Sequence, residues 1–176
     1  SRRKFLKSPL NYIGGKYKLL PQLIEFFPEK INTFVDLFSG GFNVGINVDC
    51  NKVICNDMNA FIVDLYKELY SKPIDETLNK ITGRINEYGL SKENEEAFKK
   101  FRDYYNKTKE PIDLYTLSCY SFNYQFRFNN NKEYNNPFGR NRSQFSDNMK
   151  SNLILFTEKL KSMNVEFLSE SFDKVD

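Results

Sequence analysis

The sequence predicts an α/β fold in which a parallel β-sheet is interrupted by a helical and β-hairpin insertion. Three observations support this prediction. Two β-prone runs alternate with a glycine turn and a helix between residues 33 and 70. From residue 71 the pattern changes to amphipathic helices followed by an asparagine-rich segment, and strand character returns at residues 165–168.

The predicted sheet begins with residues 33–38, a β-prone run that Ser39-Gly40-Gly41 stops. Apolar residues at 44, 46 and 48 predict a short helix after it. Residues 52–56 form the second predicted strand, and residues 59–70 predict a helix with an apolar inward face. A strand, a glycine turn, a helix, a second strand and a second helix in this order are typical of the opening of a parallel α/β sheet.

The predicted insertion contains two polar helices, an apolar stretch and a hairpin. The amphipathic spacing of residues 75–88 predicts the first helix, and Ser91 is expected to cap a second helix that ends near Asn106. An apolar stretch at residues 114–122 leads into a hairpin whose loop is expected at residues 129–131.

A helix and a strand are predicted after the insertion. Ser146 is expected to cap the helix, in which Leu153, Phe156 and Leu160 mark the apolar face, and residues 165–168 form the strand. The chain is therefore divided into residues 1–70 as the first part of the core, residues 71–152 as the insertion, and residues 153–176 as an incomplete return to the core.

The composition excludes several kinds of chemistry. The chain has no histidine, so a His-based triad, an imidazole base and a His-ligated metal are excluded within it. Cys50, Cys55 and Cys119 lack C-x-x-C spacing, so neither a zinc site nor a disulfide framework is expected. No apolar run reaches the roughly 18–20 residues of a membrane span, and we expect a cytoplasmic protein. The net charge of +3 is too small to indicate a nucleic-acid partner.

A glycine motif near the start is the first candidate for ligand binding. In Asn11-Tyr12-Ile13-Gly14-Gly15-Lys16-Tyr17 the paired glycines allow close approach of the backbone. Lys16 supplies a cation at the start of a helix that the apolar spacing of residues 17–27 predicts. The motif lacks the upstream glycine and the Ser/Thr of a Walker loop. An ordinary glycine turn with a solvated lysine is the alternative.

Two further candidates follow the predicted strands. Asp36-Leu37-Phe38-Ser39-Gly40-Gly41-Phe42 lies at a strand-to-helix junction, where glycines permit a tight turn beside a nucleoside or its charged tail. The full G-x-G-x-x-G fingerprint is absent, and a ligand-free turn is the alternative. Asp57, 21 residues after Asp36, is placed to accept hydrogen bonds from ribose hydroxyls. Its alternative role is to cap the helix that begins near Asn59.

In this order the motifs resemble the Dam-like group of adenine-specific DNA methyltransferases over nearly the whole chain. The resemblance implies a Rossmann-like core that binds S-adenosylmethionine, with residues 71–152 as the DNA target-recognition insertion. Phe42 departs from the family pattern, which has a second glycine there. The residues implied in cofactor binding are Tyr12, Gly14, Gly15, Lys16, Asp36, Phe38, Ser39, Gly40, Gly41, Asp57 and Met58.

The insertion carries the second half of the resemblance. The runs Ser121-Phe122-Asn123-Tyr124-Gln125-Phe126-Arg127-Phe128-Asn129 and Asn136-Pro137-Phe138-Gly139-Arg140 are similar to a family hairpin that enters DNA. Arginine pairs with guanine, asparagine pairs with adenine, and aromatic rings wedge beside a displaced base. Phe126, Phe128 and Phe138 are expected to pack within the insertion. The residues implied in DNA binding are Phe122, Asn123, Tyr124, Arg127, Pro137, Arg140 and Arg142.

The chain does not contain the catalytic motif of the family it resembles. Methyl transfer there requires an Asp/Asn-Pro-Pro-Tyr/Phe tetrad, and none occurs among the 176 residues. The resemblance therefore implies no catalytic residue in this chain and a tetrad after Asp176. The implied partners are double-stranded DNA and a cognate restriction endonuclease, with no membrane and no metal. A DNA-binding module without activity and an RNA methyltransferase are the alternatives that stay open.

Overall fold

The computed structural model describes residues 31–36, 45–47 and 50–169. This part of the chain has a mixed α/β architecture, which confirms the predicted class. Its strands are β1 (Ile31–Asp36), β2 (Cys50–Asn56) and β3 (Val165–Leu168). Its α-helices are α1 (Ala60–Ser71), α2 (Ile74–Tyr88), α3 (Glu95–Thr108), α4 (Pro111–Cys119) and α5 (Asp147–Ser162). Short 3-10 turns occur at Gly45–Asn47 and Phe122–Tyr124.

The three strands form a parallel sheet in the order β1-β2-β3. Asp36 at the end of β1 lies beside Cys55, and Asn56 at the end of β2 lies beside Leu168. The carboxyl ends of all three strands therefore meet at one edge of the sheet. The connection from β2 to β3 contains all five α-helices, which is the long crossover that parallel strands require.

The hydrophobic core is one continuous cluster that runs from the sheet into the helices. Helix α4 lies at its centre, because it contacts α1, α2 and α3 and all its side chains from Ile112 to Cys119 are buried. Burial raises the pKa of the Cys119 thiol far above its ordinary value, so this cysteine is a packing residue and not a nucleophile. The helices after residue 71 share their core with α1.

Most of the predicted elements are confirmed with shifted ends. The first strand begins at Ile31, two residues before the predicted start, and the predicted segment beyond Asp36 lies outside the described residues. The apolar stretch predicted at 114–122 is the buried helix α4 and the turn that follows it. Ser146 caps α5 as predicted, since its hydroxyl oxygen accepts a hydrogen bond from the backbone N–H of Met149 at 3.2 Å. No helix in the described ranges is both long and apolar enough to cross a membrane.

The cap predicted for the second helix of the insertion is wrong. Helix α3 begins at Glu95, and its cap is Asn94, whose side-chain oxygen accepts a hydrogen bond from the backbone N–H of Ala97 at 3.1 Å. Ser91 instead accepts from the N–H of Glu93 at 3.3 Å within the preceding turn. Helix α2 ends at Tyr88, and its C-cap is Gly89, whose φ of 70° is left-handed. The residues after Gly89 then turn the chain before α3 begins at Glu95.

A buried ion cluster joins α2 to α4. Asp113 on α4 is fully buried, and its Oδ1 accepts a hydrogen bond from Nε of Arg84 on α2 at 3.0 Å. The same guanidinium donates to Glu110 at 2.6 Å and to Glu87 at 3.0 Å. Burial raises the pKa of Asp113 to about 6, although the hydrogen bond from Arg84 opposes the change. Burial also acts on Glu110, but hydrogen bonds from Asp113 and Arg84 outweigh it and lower the pKa of Glu110.

We expect the contribution of Asp113 to stability to fall as the pH rises from about 4 to about 6. Because the pKa of Asp113 is raised from 3.8 to about 6 by folding, the folded protein binds more protons than the unfolded chain in this interval. Raising the pH therefore favours unfolding, by roughly 1–3 kcal/mol across the interval.

The measurement is urea denaturation of the wild type and of Asp113→Asn across this pH range. Asparagine has the same shape and does not titrate, so the difference in free energy of unfolding between the two proteins isolates Asp113. The wild type should lose stability relative to the variant as the pH rises. A difference that stays constant with pH would contradict the assignment.

Candidate functional site

The carboxyl edge of the sheet brings together two of the predicted cofactor positions. Asp36 is the last residue of β1, and Asp57 directly follows the last residue of β2. The two strands are parallel neighbours, with Asp36 beside Cys55. In open α/β sheets, ligands bind in the crevice outside the carboxyl ends of the strands. The edge that carries Asp36 and Asp57 is therefore the candidate ligand site of this fold.

Asp57 is fixed between the sheet and the start of α1. Its backbone N–H donates to the carbonyl oxygen of Leu168 at 3.2 Å, and its Oδ1 accepts from the N–H of Asn59 at 2.7 Å. The cap of α1 is Asn59, whose Oδ1 accepts from the N–H of Phe61 at 3.0 Å. The helix is therefore capped by Asn59 and not by Asp57. Asp57 shapes the loop that precedes the helix.

Met58 lies on the exposed side of this loop. Its side chain is 67% exposed, while the neighbouring Asp57 is 8% exposed. The loop thus offers an acid and an apolar surface side by side.

The other predicted cofactor residues lie outside the part of the chain that the structure describes. For Asp36 the structure gives the backbone position only. The residues outside the described ranges are Tyr12, Gly14, Gly15, Lys16, Phe38, Ser39, Gly40 and Gly41. Their assignment to the cofactor stays a prediction.

Residues 121–138 form the predicted hairpin, which two isolated antiparallel pairings hold together: Ser121 with Phe138, and Phe128 with Tyr134. The loop predicted at residues 129–131 is confirmed. The side-chain oxygen of Asn129 accepts from the backbone N–H groups of Asn131 at 2.9 Å and of Glu133 at 3.0 Å. This asparagine closes the loop with its side chain, as such residues do in turns.

The aromatic residues of the hairpin divide into packed and exposed groups. Phe126 and Phe138 are buried, and Phe138 packs on Phe98 of α3, within the insertion as predicted. Phe128 is half-buried and packs both on Tyr134 of the hairpin and on Phe61 of α1, which lies outside residues 71–152. Phe122, by contrast, is 50% exposed. Six of the seven residues implied in DNA binding are exposed, and Tyr124 is half-buried. The exposed six are Phe122, Asn123, Arg127, Pro137, Arg140 and Arg142.

The turn that presents Phe122 is strained and is held from behind. Asn123 and Tyr124 have φ values of 53° and 54°, a conformation that costs about 1 kcal/mol or more for each non-glycine residue. The side-chain amide of Asn136 donates to the carbonyl oxygens of Phe122 at 2.9 Å and of Gln125 at 3.2 Å. Asn136 is itself buried, so it fixes the turn rigidly in this shape.

The guanidinium of Arg127 is partly engaged within the hairpin. Its Nε donates to Oδ1 of Asn135 at 3.2 Å, and its Nη2 donates to the carbonyl oxygen of Asn135 at 3.0 Å. These bonds cross from one arm of the hairpin to the other. They orient the exposed guanidinium, and the sequence pattern did not reveal them.

Asn106 on α3 clamps the hairpin from the side. Its Oδ1 accepts from the backbone N–H of Tyr134 at 2.8 Å, and its Nδ2 donates to the carbonyl oxygen of Tyr134 at 3.1 Å. The side-chain amide thus pairs with the backbone as a neighbouring strand would. Sequence reasoning missed this residue, because the 28 positions that separate it from Tyr134 hide the contact from any local pattern.

Two of the residues implied in DNA binding, Arg140 and Arg142, lie in the loop after the hairpin. Nη2 of Arg140 lies 3.3 Å from a carboxylate oxygen of Glu95, and the carbonyl oxygen of Arg142 accepts a hydrogen bond from the Tyr124 hydroxyl at 3.1 Å. Gly139 permits the tight approach of this loop, because a Cβ there would overlap the Ser143 side chain. The loop is therefore packed against the hairpin while both arginine side chains stay exposed.

The described part of the chain thus combines a parallel sheet, which has an acid directly after its second strand, with a hairpin that exposes an aromatic ring and arginine side chains. Residues 12–176 match the family described as D12 class N6 adenine-specific DNA methyltransferase, and the chain belongs to that family. No metal-ligand cluster of three or more Cys, Asp or Glu side chains occurs among the described residues.

Curated relatives have a similar sequence over nearly the whole chain. The chain is 62% identical to the Type II methyltransferase M.FokI of Planomicrobium okeanokoites, over 96% of this chain and 26% of that protein. It is 54% identical to the modification methylase StsI of Streptococcus sanguinis, over 100% of this chain and 27% of that protein. It is 31% identical to the DNA adenine methylase of Escherichia coli strain K12, over 97% of this chain and 58% of that protein. The chain thus spans about a quarter to three fifths of these relatives.

We expect Asn106→Ala to loosen the hairpin without unfolding the helices. The substitution leaves the buried N–H and C=O of Tyr134 without their partner, at a cost of roughly 1–3 kcal/mol. Hydrogen exchange followed by mass spectrometry should show faster exchange in residues 121–138 and little change in α4. Asn131→Ala, at the exposed tip of the loop, is the matched control. Equal exchange in the two variants would show that other contacts hold the hairpin.

Proposed function

We propose that the protein to which this chain belongs transfers a methyl group from S-adenosylmethionine to the exocyclic amino group of adenine in duplex DNA. The observation that carries the proposal is the family match over residues 12–176. The chain would contribute a Rossmann-like cofactor-binding core in residues 1–70 and 153–176, and a DNA target-recognition insertion in residues 71–152. The helices of the insertion share one core with α1, so the boundary between core and insertion is part of the proposal.

The described part of the cofactor edge fits a sulfonium nucleoside. A carboxylate at the end of β2 accepts hydrogen bonds from two ribose hydroxyls, and Asp57 stands at that position with its loop braced against the sheet. In the proposal Tyr12, Lys16 and residues 38–41 hold the methionine part, and Met58 contacts the nucleoside. When bound, S-adenosylmethionine supplies an activated methyl group.

The hairpin is proposed to read and distort the DNA. Exposed Phe122 would wedge beside the displaced base, while Asn123 and Arg127 would face base edges in the major groove. Arg140 and Arg142 would neutralise phosphates, which fixes position without reading sequence. The strained turn and the clamps by Asn136 and Asn106 support this role, because a preformed reading surface loses little entropy on binding.

The residues that act on the amino group of the target adenine are proposed to lie outside this chain. An Asp-Pro-Pro-Tyr tetrad is proposed beyond Asp176, where its acid and backbone carbonyl would accept hydrogen bonds from the adenine amino group. The proposed setting is the cytoplasm, with a cognate restriction endonuclease as a partner. The name of the StsI relative, a modification methylase, supports the restriction-modification context.

Transfer of tritiated methyl groups from S-adenosylmethionine to duplex DNA tests the proposal in the full-length protein. Label should appear in N6-methyladenine after digestion of the DNA, and an equal amount of RNA should not compete. Label in cytosine or in RNA would overturn the proposal. The absence of any transfer from a protein that still binds DNA would favour the alternative of a binding module without activity.

We expect Asp57→Asn to weaken S-adenosylmethionine binding by roughly ten- to a hundredfold, the usual cost of losing charge-assisted hydrogen bonds. Asparagine keeps the side-chain oxygen that accepts from the N–H of Asn59, so the loop before α1 is preserved. Calorimetry on the wild type, Asp57→Asn and Asp57→Ala separates the role of Asp57 in cofactor binding from its role in the loop before α1. Only the alanine variant also loses the hydrogen bond from the N–H of Asn59. An unchanged affinity in Asp57→Asn would remove Asp57 from the cofactor site.

We expect Arg127→Ala and Arg142→Ala to have different effects on DNA binding. Loss of a base contact at Arg127 should relax discrimination between target and altered DNA by about 1–3 kcal/mol. Loss of a phosphate contact at Arg142 should weaken binding to all sequences alike and reduce the slope of log K against log salt by about one. Fluorescence anisotropy over a salt series measures both quantities. Similar profiles for the two variants would refute the assignment of separate roles.

A further inference from the structure

A pocket of about 330 Å³ lies between the loop after β2 and the hairpin. Residues 58–61 line one side, and Phe128, Asn129 and Lys132 of the hairpin line the other. The loop side begins directly after Asp57. The pocket therefore has one wall from the sheet edge and one wall from the DNA-reading element of the proposed function.

An aromatic contact joins the two sides of this pocket. The rings of Phe61 on α1 and Phe128 on the hairpin stack with centroids 5.5 Å apart and an interplanar angle of 17°. Phe128 in turn meets Tyr134 edge-on at 5.6 Å, and Tyr134 meets Tyr105 of α3 at 6.4 Å. The hairpin wall is thus supported from behind by α3, where Asn106 also binds the backbone of Tyr134.

The pocket has the chemistry that a purine ring requires. Its lining combines the aromatic carbons of Phe61 and Phe128 and the polarisable thioether of Met58 with the polar groups of Asn129 and Lys132. The volume lies in the range of small-molecule sites. A purine could come from the adenosine part of the cofactor or from a displaced adenine of DNA, and the position next to Asp57 favours the cofactor, since the purine is bonded directly to the ribose.

We propose that the hairpin forms one wall of the purine pocket of S-adenosylmethionine, so that cofactor binding and DNA binding are coupled through the contact between Phe61 and Phe128. This inference rests on the proposed function. It adds Phe61 and Phe128, neither of which is among the residues implied in cofactor or DNA binding. Phe128 follows Arg127 directly in the chain, so a purine that packs on Phe128 contacts the same arm that presents Arg127. Coupling of this kind is reciprocal, because each ligand must raise the affinity of the other by the same factor.

The experiment measures coupling in the full-length protein with S-adenosylhomocysteine, which cannot react. Calorimetry gives its dissociation constant without DNA and with duplex DNA that contains the methylation target. Typical coupling factors begin at about fivefold. Phe128→Leu should lower the affinity for S-adenosylhomocysteine roughly two- to tenfold, the range for one aromatic contact, and should bring the coupling factor close to one.

Two further variants sharpen the test. Phe167→Leu removes another half-buried aromatic contact of α1, the edge-on pair with Tyr70 at 5.4 Å, and should leave both affinity and coupling unchanged. Met58→Ala alters an exposed side chain of the loop wall, which the fold tolerates. It should lower the affinity for S-adenosylhomocysteine while the coupling factor is kept, because the hairpin wall remains intact.

The possible outcomes separate this inference from the proposed function. If the wild type binds S-adenosylhomocysteine and Phe128→Leu binds it equally well, the pocket does not receive the cofactor and the inference is overturned. If Phe128→Leu changes only the fluorescence of a 2-aminopurine placed at the target adenine, the purine comes from DNA and the inference is again overturned. A wild type that binds no S-adenosylhomocysteine would overturn the proposed function as well.

Discussion

The packing of the buried helix α4 determines how the sheet edge and the hairpin stand relative to each other. On one side α4 contacts α1, the helix that begins just after Asp57, and on the other it contacts α2 and α3. Its last residue, Cys119, lies two positions before the start of the hairpin at Ser121. Close-packed interiors do not slide easily, because any shift opens voids or creates overlaps. A helix that is buried on all sides therefore transmits a fixed geometry from the sheet to the hairpin.

A helix in this position also has to satisfy polar groups in the core. Asp113 is fully buried on α4, and Arg84 of α2 reaches it with a hydrogen bond of 3.0 Å. A buried ion pair adds little net stability, since the cost of removing both charges from water offsets their attraction. An unpaired buried carboxylate would cost far more. The pair therefore favours the one alignment of α2 against α4 in which Arg84 meets Asp113, and it penalises the others.

The hairpin is held by side chains that act on its backbone. Asn136 binds the carbonyl groups behind the strained turn, Asn106 pairs with Tyr134 from α3, and Arg127 bridges to Asn135 on the opposite arm. The arms share two isolated antiparallel bridges and scattered backbone hydrogen bonds, such as those from Phe122 to Pro137 and from Asn135 to Arg127, but they form no continuous strand ladder. This arrangement leaves the outer face of the hairpin open, and it allows the inner face to pack through Phe128 against the loop that follows Asp57.

Some of these features follow from the sequence, because they depend on neighbours along the chain. The end of β2 at Asn56, the cap at Ser146 and the loop at Asn129 belong to this group. Each depends on local backbone preference or on a hydrogen bond across two to four residues. The family resemblance also rests on motifs in linear order. The cap at Ser91 fails for a local reason, because Ser91 lies in the turn that follows the left-handed residue Gly89, and the side chain of Asn94 caps α3 instead.

The sequence by itself determined the order of strands and helices, the acid at the end of β2 and the exposed residues of the hairpin. Only the tertiary structure decided that Asn106 clamps Tyr134, that Arg84 pairs with Asp113, and that Phe61 meets Phe128 beside a pocket. Such contacts join residues from 28 to 67 positions apart, and they form only when α4 has set the distance between the elements that carry them. A periodic pattern shows which face of a helix is buried, but it does not show which side chain will lie opposite that face.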